Sequence, residues 1–364
     1  MPPPDPWRPG SRAPRRWLWL LVLGLGLAGP VVAAGGPLLP LGEAPPSRLN
    51  PLTPAKIALG TMLFFDRRLS GDGTMSCASC HIPELAFADG QAISLSYPTT
   101  ANWRNAPTLI NIAFARFLFH DGRSASLEDQ ALFPIMSSFE MNQNLDFLEE
   151  ELRSVPEYRQ AFAEVFGSED TSRDRVGLAL AAFQRTLVSR GAPIDRFLAG
   201  DQEALSREAQ SGLAVFTGKG RCTDCHFGPT LADDRFHALH VPENPIQDAR
   251  VAATRRFVAK VSRYEGYRDL TEDPGRYLVS RNDEDWRAFR TPTLREIART
   301  GPYMHNGSFA TLEEVITFFD QGGGPGNRKL VPLFLSAVEK RAVAVFLREA
   351  LTGEEIVVRP PSIP

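Results

Sequence analysis

Six residues of this 364-residue chain form two copies of one pattern: Cys77, Cys80 and His81 in "CASCH", and Cys222, Cys225 and His226 in "CTDCH". The two copies use all four cysteines. Thiols three positions apart stand about one helical turn from each other, so both can add to the vinyl groups of one haem while the adjacent imidazole turns onto its iron. Zinc would have to pool the two cysteine pairs across about 140 residues, far beyond ribbon spacing, and would leave both histidines without a role. Paired disulfides ignore the histidines too. Covalent haem accounts for all six residues and makes His81 and His226 the proximal ligands.

The elements that must hold these sites repeat with them. "AKIALGTMLFFDRRLSGDGTMSCASCH" and "AQSGLAVFTGKGRCTDCH" share an alanine, then Gly60 or Gly212, then Phe64 or Phe216, then the cysteines. Two related halves follow, residues 54–200 and 201–353, preceded by a leader (1–34) and a proline-rich spacer (35–53) and followed by a short tail (354–364). Periodic structure starts near Pro54. "TSRDRVGLALAAFQRTLVSRG" puts Val176, Leu180, Phe183 and Leu187 on one helical face with Thr171 as its cap and Gly191 as its stop. "SAVEKRAVAVFLREALTG" offers a Ser336–Glu339 capping box, an apolar face through Val338, Ala342, Val345 and Phe346, and Gly353 beyond its end. "TLEEVITFF" starts a helix capped by Thr311 and Glu314. No run alternates persuasively as strands do, so the fold class is mainly α: two cytochrome c-like haem domains related by an internal repeat, with long loops. Residues 241–290 read as a charged, weakly periodic excursion.

Arg8, Arg12, Arg15 and Arg16 precede the apolar run "WLWLLVLGLGLAGPVVAA", and small residues follow near Ala34. This is the pattern of an export signal, or of a membrane anchor when it is not cleaved. Both readings place the body outside the cytoplasm, in the periplasm. The whole chain carries −3; removing a leader of +3 leaves about −6, the wrong sign for a nucleic-acid binder.

A carrier of electrons shields both irons, whereas a peroxide or oxygen enzyme leaves one face open beneath a proton-moving group. The segment "RNAPTLINIAFARFLFHDGRSASLEDQALFPIMSSFEMNQN" supplies candidates for that group. Together with "FFDRRLSGDGTMSCASCH", "CTDCH", "LTEDPGRYLV", "FRTPTLR" and "PYMHNGSFATLEEV", it resembles the bacterial di-haem cytochrome c peroxidases and their MauG-like relatives from about Leu52 to Gly353. The resemblance implies that Glu140 is the distal acid–base residue above the N-terminal haem, with Gln130 beside it and Pro134 lining the pocket. It also implies a calcium ion held by Asn105 and the backbone carbonyls of Thr300 and Pro302, water completing the six to eight oxygens calcium takes.

Three departures from that family pattern carry information. The loop from Ile82 to Trp103 lacks the removable histidine many members carry there, and Tyr97 stands near its place; the N-terminal haem is therefore expected to be open at rest. His120, in "FHDGR", replaces the usual inter-haem tryptophan, with two roles open to it: a hydrogen bond to a propionate, or a part in transfer. Phe319, fourteen residues beyond His305, stands where the C-terminal haem's methionine or tyrosine ligand falls, which leaves that haem five-coordinate, water-ligated, or bound by a replacement among Met304, Tyr303, His305, His237 and His240.

The leading expectation is a periplasmic peroxidase that reduces hydrogen peroxide with electrons from a small donor, a cytochrome c or cupredoxin, using two covalent haem c groups. A homodimer is among the assemblies the resemblance implies. The alternatives are a MauG-like oxidase that modifies a partner protein, and a non-catalytic electron carrier or redox sensor.

Overall fold

The computed structural model describes residues 35–97, 100–245 and 249–364. Helix α1 (Pro54–Phe65) starts where Thr53 accepts the Lys56 N–H and Pro54 fills the first turn, a position with no intrahelical bond to lose. Helices α2 (Leu127–Met136), α3 (Leu145–Ser154), α4 (Pro156–Phe166) and α5 (Arg173–Gln184) pack around it. Their shared core holds Leu59, Leu63, Phe64, Phe87, Tyr158, Phe162 and Phe183. Burying each large apolar side chain stabilises the fold by about 1.5–3 kcal/mol.

The second half repeats the arrangement. Helix α6 (Pro193–Leu198), from the end of the 54–200 segment, joins α7 (Arg207–Thr217), α10 (Leu312–Asp320) and α11 (Ala337–Glu349) around Phe216, Leu312, Ile316, Val343 and Phe346. A Cβ on Gly60 would lie 2.0 Å from the Ala179 carbonyl oxygen, and one on Gly212 would lie 2.0 Å from that of Ala342. Each glycine lets its helix lie directly against the backbone of its partner, α1 on α5 and α7 on α11. The aromatic pairs beside the two crossings also match, Phe64–Phe183 at 4.8 Å and Phe216–Phe346 at 5.2 Å.

A second tract repeats at a constant spacing of 185 residues. The bridges Leu118–Ser124 and Tyr303–Phe309 close two equivalent turns. Phe119 and Met304 are left-handed there at φ 65° and 74°, as are Gly122 and Gly307 three residues after them in the glycine-favouring region. His120 and His305 occupy the same place in these turns, and α2 and α10 follow them. The same register sets Pro134 against Phe319.

Several expectations needed correction. Thr171 does not cap α5; its hydroxyl donates to the Glu149 carbonyl, Ser172 precedes the helix, and the helix stops at Gln184, short of Leu187. Val338 is exposed on α11, and the buried face runs instead through Ala342, Val343, Ala344, Phe346 and Leu347. The Ser336–Glu339 and Thr311–Glu314 capping boxes form. The 241–290 excursion contains a 13-residue helix, α8 (Ala249–Val261), a single turn α9 (Tyr277–Ser280), and strand β2 (Ala288–Arg290) paired antiparallel with β1 (Phe236–Ala238). Val251, Ala259, Leu270 and Leu278 build a third core there that takes in Trp103 from the first half.

The ends of the described chain fold back onto the body. Leu38 pairs with Gly228, while Ile356 and Val358 pack on the first core. Among the described residues no helix is long and apolar enough to cross a membrane. The leader expected at 1–34 lies outside them.

Candidate functional site

Both CxxCH segments form single 3-10 turns, Cys77–Ser79 and Cys222–Asp224, and each histidine N–H donates to the first cysteine's carbonyl. Each imidazole is then oriented by a carbonyl further on. His81 Nδ1 lies 3.0 Å from the Phe87 oxygen, and His226 Nδ1 lies 2.7 Å from the Leu231 oxygen. A carbonyl only accepts, so Nδ1 carries the proton in both rings and each Nε2 keeps a free lone pair. This outer hydrogen bond is the arrangement that fixes a metal-binding histidine. Burial lowers the pKa of both rings, which keeps them neutral. It also pushes the Cys77, Cys80 and Cys222 thiols up to about 12.

Cys77, Cys80 and His81 line a cavity of about 1150 Å³ of empty space, its open mouth included. Gln130, Pro134, Glu140 and His120 line it as well. Helix α2 presents Gln130 and Pro134 one turn apart, and the chain then reverses: Glu140 N–H donates to Ser137 and Met141 N–H returns to Pro134. That reversal brings Glu140 back over the same space. Asn102 Nδ2 donates to Glu140 Oε1 at 3.3 Å. From the loop expected to leave the first haem open, Ser94, Asn102 and Trp103 reach the wall; Tyr97 is not among the lining residues.

His120 Nε2 donates to the Asn105 carbonyl at 2.9 Å, and burial drops its pKa to about 4, so it is neutral. Asn105 in turn donates its N–H to the His305 carbonyl and its Nδ2 to Gln91, leaving Oδ1 of the side chain. The structure thus joins Asn105 to the loop that carries Thr300 and Pro302 at His305, not through those two residues themselves.

A buried ionic network braces this region. Arg104 reaches Asp273 at 2.7 and 2.9 Å and Asp121 at 2.6 Å, and Asp121 also holds Arg123. Against burial, which works to raise them, the arginines hold both carboxyls below the usual range. The Arg104 guanidinium lies 3.8 Å from the Trp103 ring centroid.

At the second site, Cys225, Asp233 and His237 bring ligand atoms within 4.8 Å of one another. His237 is already engaged at both nitrogens, with Asp233 at 2.8 Å and Lys329 at 3.1 Å. His305 stacks on Phe289 at 3.6 Å, and burial pushes its pKa down to about 3. Tyr303 packs into the second core, Met304 occupies the left-handed turn position, and His240 lies beside Gly326. Phe319 makes an edge contact with Phe318.

A sequence model described as "Di-haem cytochrome c peroxidase" matches residues 54–203. The chain is 42% identical to the cytochrome-c peroxidase IdrP1 of Denitromonas iodatirespirans, over 95% of this chain and 96% of that protein. The chain belongs to the di-haem cytochrome c peroxidase family. It is also 37% identical to the methylamine utilization protein MauG of Methylorubrum extorquens, over 88% of this chain and 85% of that one. A solved MauG-like protein associated with microbial copper homeostasis superposes with a TM-score of 0.73 at 30% identity, covering 87% of this chain and 94% of that one. Membership makes the protein an oxidoreductase of the peroxidase class with haem c as cofactor.

The residues present fit that cofactor. Gln184 Oε1 is buried at the cavity wall with no hydrogen-bond partner among the described residues. Arg290 donates to His120 through its backbone, yet its guanidinium reaches only carbonyls at 3.3 and 3.4 Å, and no ion pair to a carboxylate is found for it among the described residues. Burial lowers its pKa. A carboxylate of the cofactor would pair with this half-buried cation. The sequence reasoning missed Asn102, Gln184, Arg290 and the Arg104 network. The 185-residue register of "FHDGRS" on "MHNGSF" was the signal that would have drawn attention to this inter-half region.

Proposed function

We propose that the protein is a periplasmic di-haem peroxidase that reduces hydrogen peroxide at the site of His81, with electrons arriving from a small cytochrome c or cupredoxin by way of the site of His226. Cys77 and Cys80 tether one haem c and Cys222 and Cys225 the other, His81 and His226 being their iron ligands. One observation carries this reading: Glu140, Gln130 and Pro134 share a single cavity with Cys77, Cys80 and His81. When bound, the haem supplies the iron and electrons that cleave the O–O bond. Glu140 accepts a proton from one peroxide oxygen and returns it to the other, acting as base and then as acid. The Gln130 amide orients peroxide by hydrogen bonding, and Pro134 keeps the wall apolar without adding a competing donor. His120, neutral and tied to Asn105, stands between the cavity and the second half.

Glu140→Gln tests the assignment: peroxide turnover falls about 100-fold or more with both haems retained, and near-normal turnover would overturn it. The loop from Ile82 to Trp103 contains no histidine, which supports a first haem open at rest; a fully low-spin resting spectrum for that haem would count against this. The same loop favours a second reading, a MauG-like oxidase of a partner protein. Rapid oxidation of a reduced cytochrome c by the peroxide-treated protein supports the peroxidase, and a long-lived oxidised state that cytochrome quenches poorly supports the oxidase.

Calcium at Asn105 Oδ1 with the carbonyls of Thr300 and Pro302 completes the proposal; one equivalent of calcium by elemental analysis, removed by chelation, is its expected signature. Export by the 1–34 leader predicts a periplasmic protein whose N-terminus lies near residue 35, and retention of the leader predicts membrane-bound protein. A homodimer would show as twice the chain mass in light scattering.

A further inference from the structure

Glu140 has one side-chain hydrogen-bond donor among the described residues, the amide of Asn102 at 3.3 Å. Asn102 is 8% exposed. Its Oδ1 accepts the Trp103 N–H at 2.8 Å, which leaves the NH2 end facing the carboxylate. The amide can therefore present only a donor to Glu140. A neutral donor suits a group that must gain and lose a proton. The amide carries no charge, so it fixes the carboxylate's direction without forming the ion pair an arginine in the same place would make.

The short strap that carries Asn102 is fastened on both sides. Thr100 Oγ1 lies 3.3 Å from the Phe139 carbonyl, next to Glu140 itself. The Ala101 carbonyl accepts from Thr254 Oγ1 of α8 at 2.7 Å. Trp103 is buried in the third core, and Arg104 is clamped by Asp273. Thr254 and Asp273 both belong to the 241–290 excursion of the second half. The strap, fastened to this excursion, holds its own donor against the carboxyl group of the first half's cavity.

We propose that Asn102 is the positioning residue for Glu140, and that the excursion, through Thr254, sets where Asn102 stands. The proposal rests on the reading of Glu140 as the proton-moving group. Loss of the donor frees the carboxylate to swing away from the peroxide oxygens, so proton transfer slows while haem attachment and cavity size are untouched. The double substitution is the sharpest consequence: once Glu140 is an amide, Asn102 has nothing left to position.

The test uses the haem-loaded, full-length protein in six forms: wild type, Glu140→Gln, Asn102→Leu, Asn102→Gln, Thr254→Val and the double variant with Asn102→Leu placed on Glu140→Gln. Two rates are read. One is kcat/KM for hydrogen peroxide. The other is the association rate of cyanide with the peroxide-free protein, because hydrogen cyanide must give up its proton to a cavity base before it binds iron. Asn102→Leu is expected to lower both about 10-fold, the low end for a lost hydrogen bond to a charged group, with the resting optical spectrum and haem content unchanged. Asn102→Gln, which keeps an amide, restores part of both rates, and Thr254→Val lowers both about 2–3-fold. On the Glu140→Gln background Asn102→Leu has no further effect. If Glu140→Gln leaves both rates intact, the reading of Glu140 fails and this proposal with it. If Glu140→Gln abolishes them while Asn102→Leu changes neither, or costs as much on the Glu140→Gln background as alone, the positioning role is overturned and Glu140 stands.

Discussion

Asp273→Asn separates a braced inter-half contact from an incidental one. In the wild type Asp273 gives Arg104 two of its three carboxylate hydrogen bonds, in a place where both side chains are 5% exposed. Removing one charge from a buried, hydrogen-bonded pair costs about 3–5 kcal/mol, since Arg104 keeps its charge and loses a partner. Unfolding entropy of about 2.1 cal/mol/K per residue gives a chain of this length about 0.8 kcal/mol/K, so the melting temperature falls by about 4–6 °C. Calorimetry of the haem-loaded protein at pH 7 reads this directly. The pH dependence is a second check with a definite sign. Burial works to raise the Asp273 pKa, but Arg104 overrides it and holds the carboxyl below its ordinary value. A depressed carboxylate contributes stability that is fully present above its unfolded pKa of about 3.9 and lost as pH falls through the folded one. The gap between wild type and Asp273→Asn is therefore constant from pH 7 to about pH 5 and closes below about pH 4. A gap under 1 °C at pH 7, or one that shrinks between pH 7 and pH 5, would refute the reasoning.

Two further outcomes follow from the repeat. Gly212→Ala drives a methyl group into the Ala342 carbonyl and destabilises by at least about 2 kcal/mol in a denaturant titration, whereas Gly42→Ala, with open space around it, stays within about 0.5 kcal/mol; equal effects would discredit the close crossing of α7 and α11. Cys222→Ala with Cys225→Ala leaves one covalent haem per chain by mass and halves the pyridine haemochrome signal, and an unchanged signal would reject the second attachment site.

The sequence exposed the chemistry more readily than the packing. Cys-x-x-Cys-His is legible because the attachment reaction demands that spacing whatever surrounds it. Capping boxes such as Thr311–Glu314 are legible because they are local. Val338 misled because its helical spacing places it near the apolar face, while its actual exposure depends on what α11 packs against. Thr171 misled for a similar reason: its hydroxyl prefers a carbonyl 22 residues away to the helix it precedes. Asn102 and Thr254 were illegible for the plainest reason, being 152 residues apart in sequence and joined only by adjacent backbone in space. Arg290 was hidden because lacking a carboxylate partner is a property of three dimensions.

The Arg104–Asp273 clamp also imposes a timetable. A chain made from its N-terminus presents Cys77, Cys80 and Glu140 long before residue 254 or 273 exists. Until those arrive, the first half has its helices and its attachment cysteines but not the two fastenings that hold the strap beside Glu140. The two fastenings thus tie the strap to chain made 153 and 169 residues later, and the first half's cavity wall is complete only in the finished molecule.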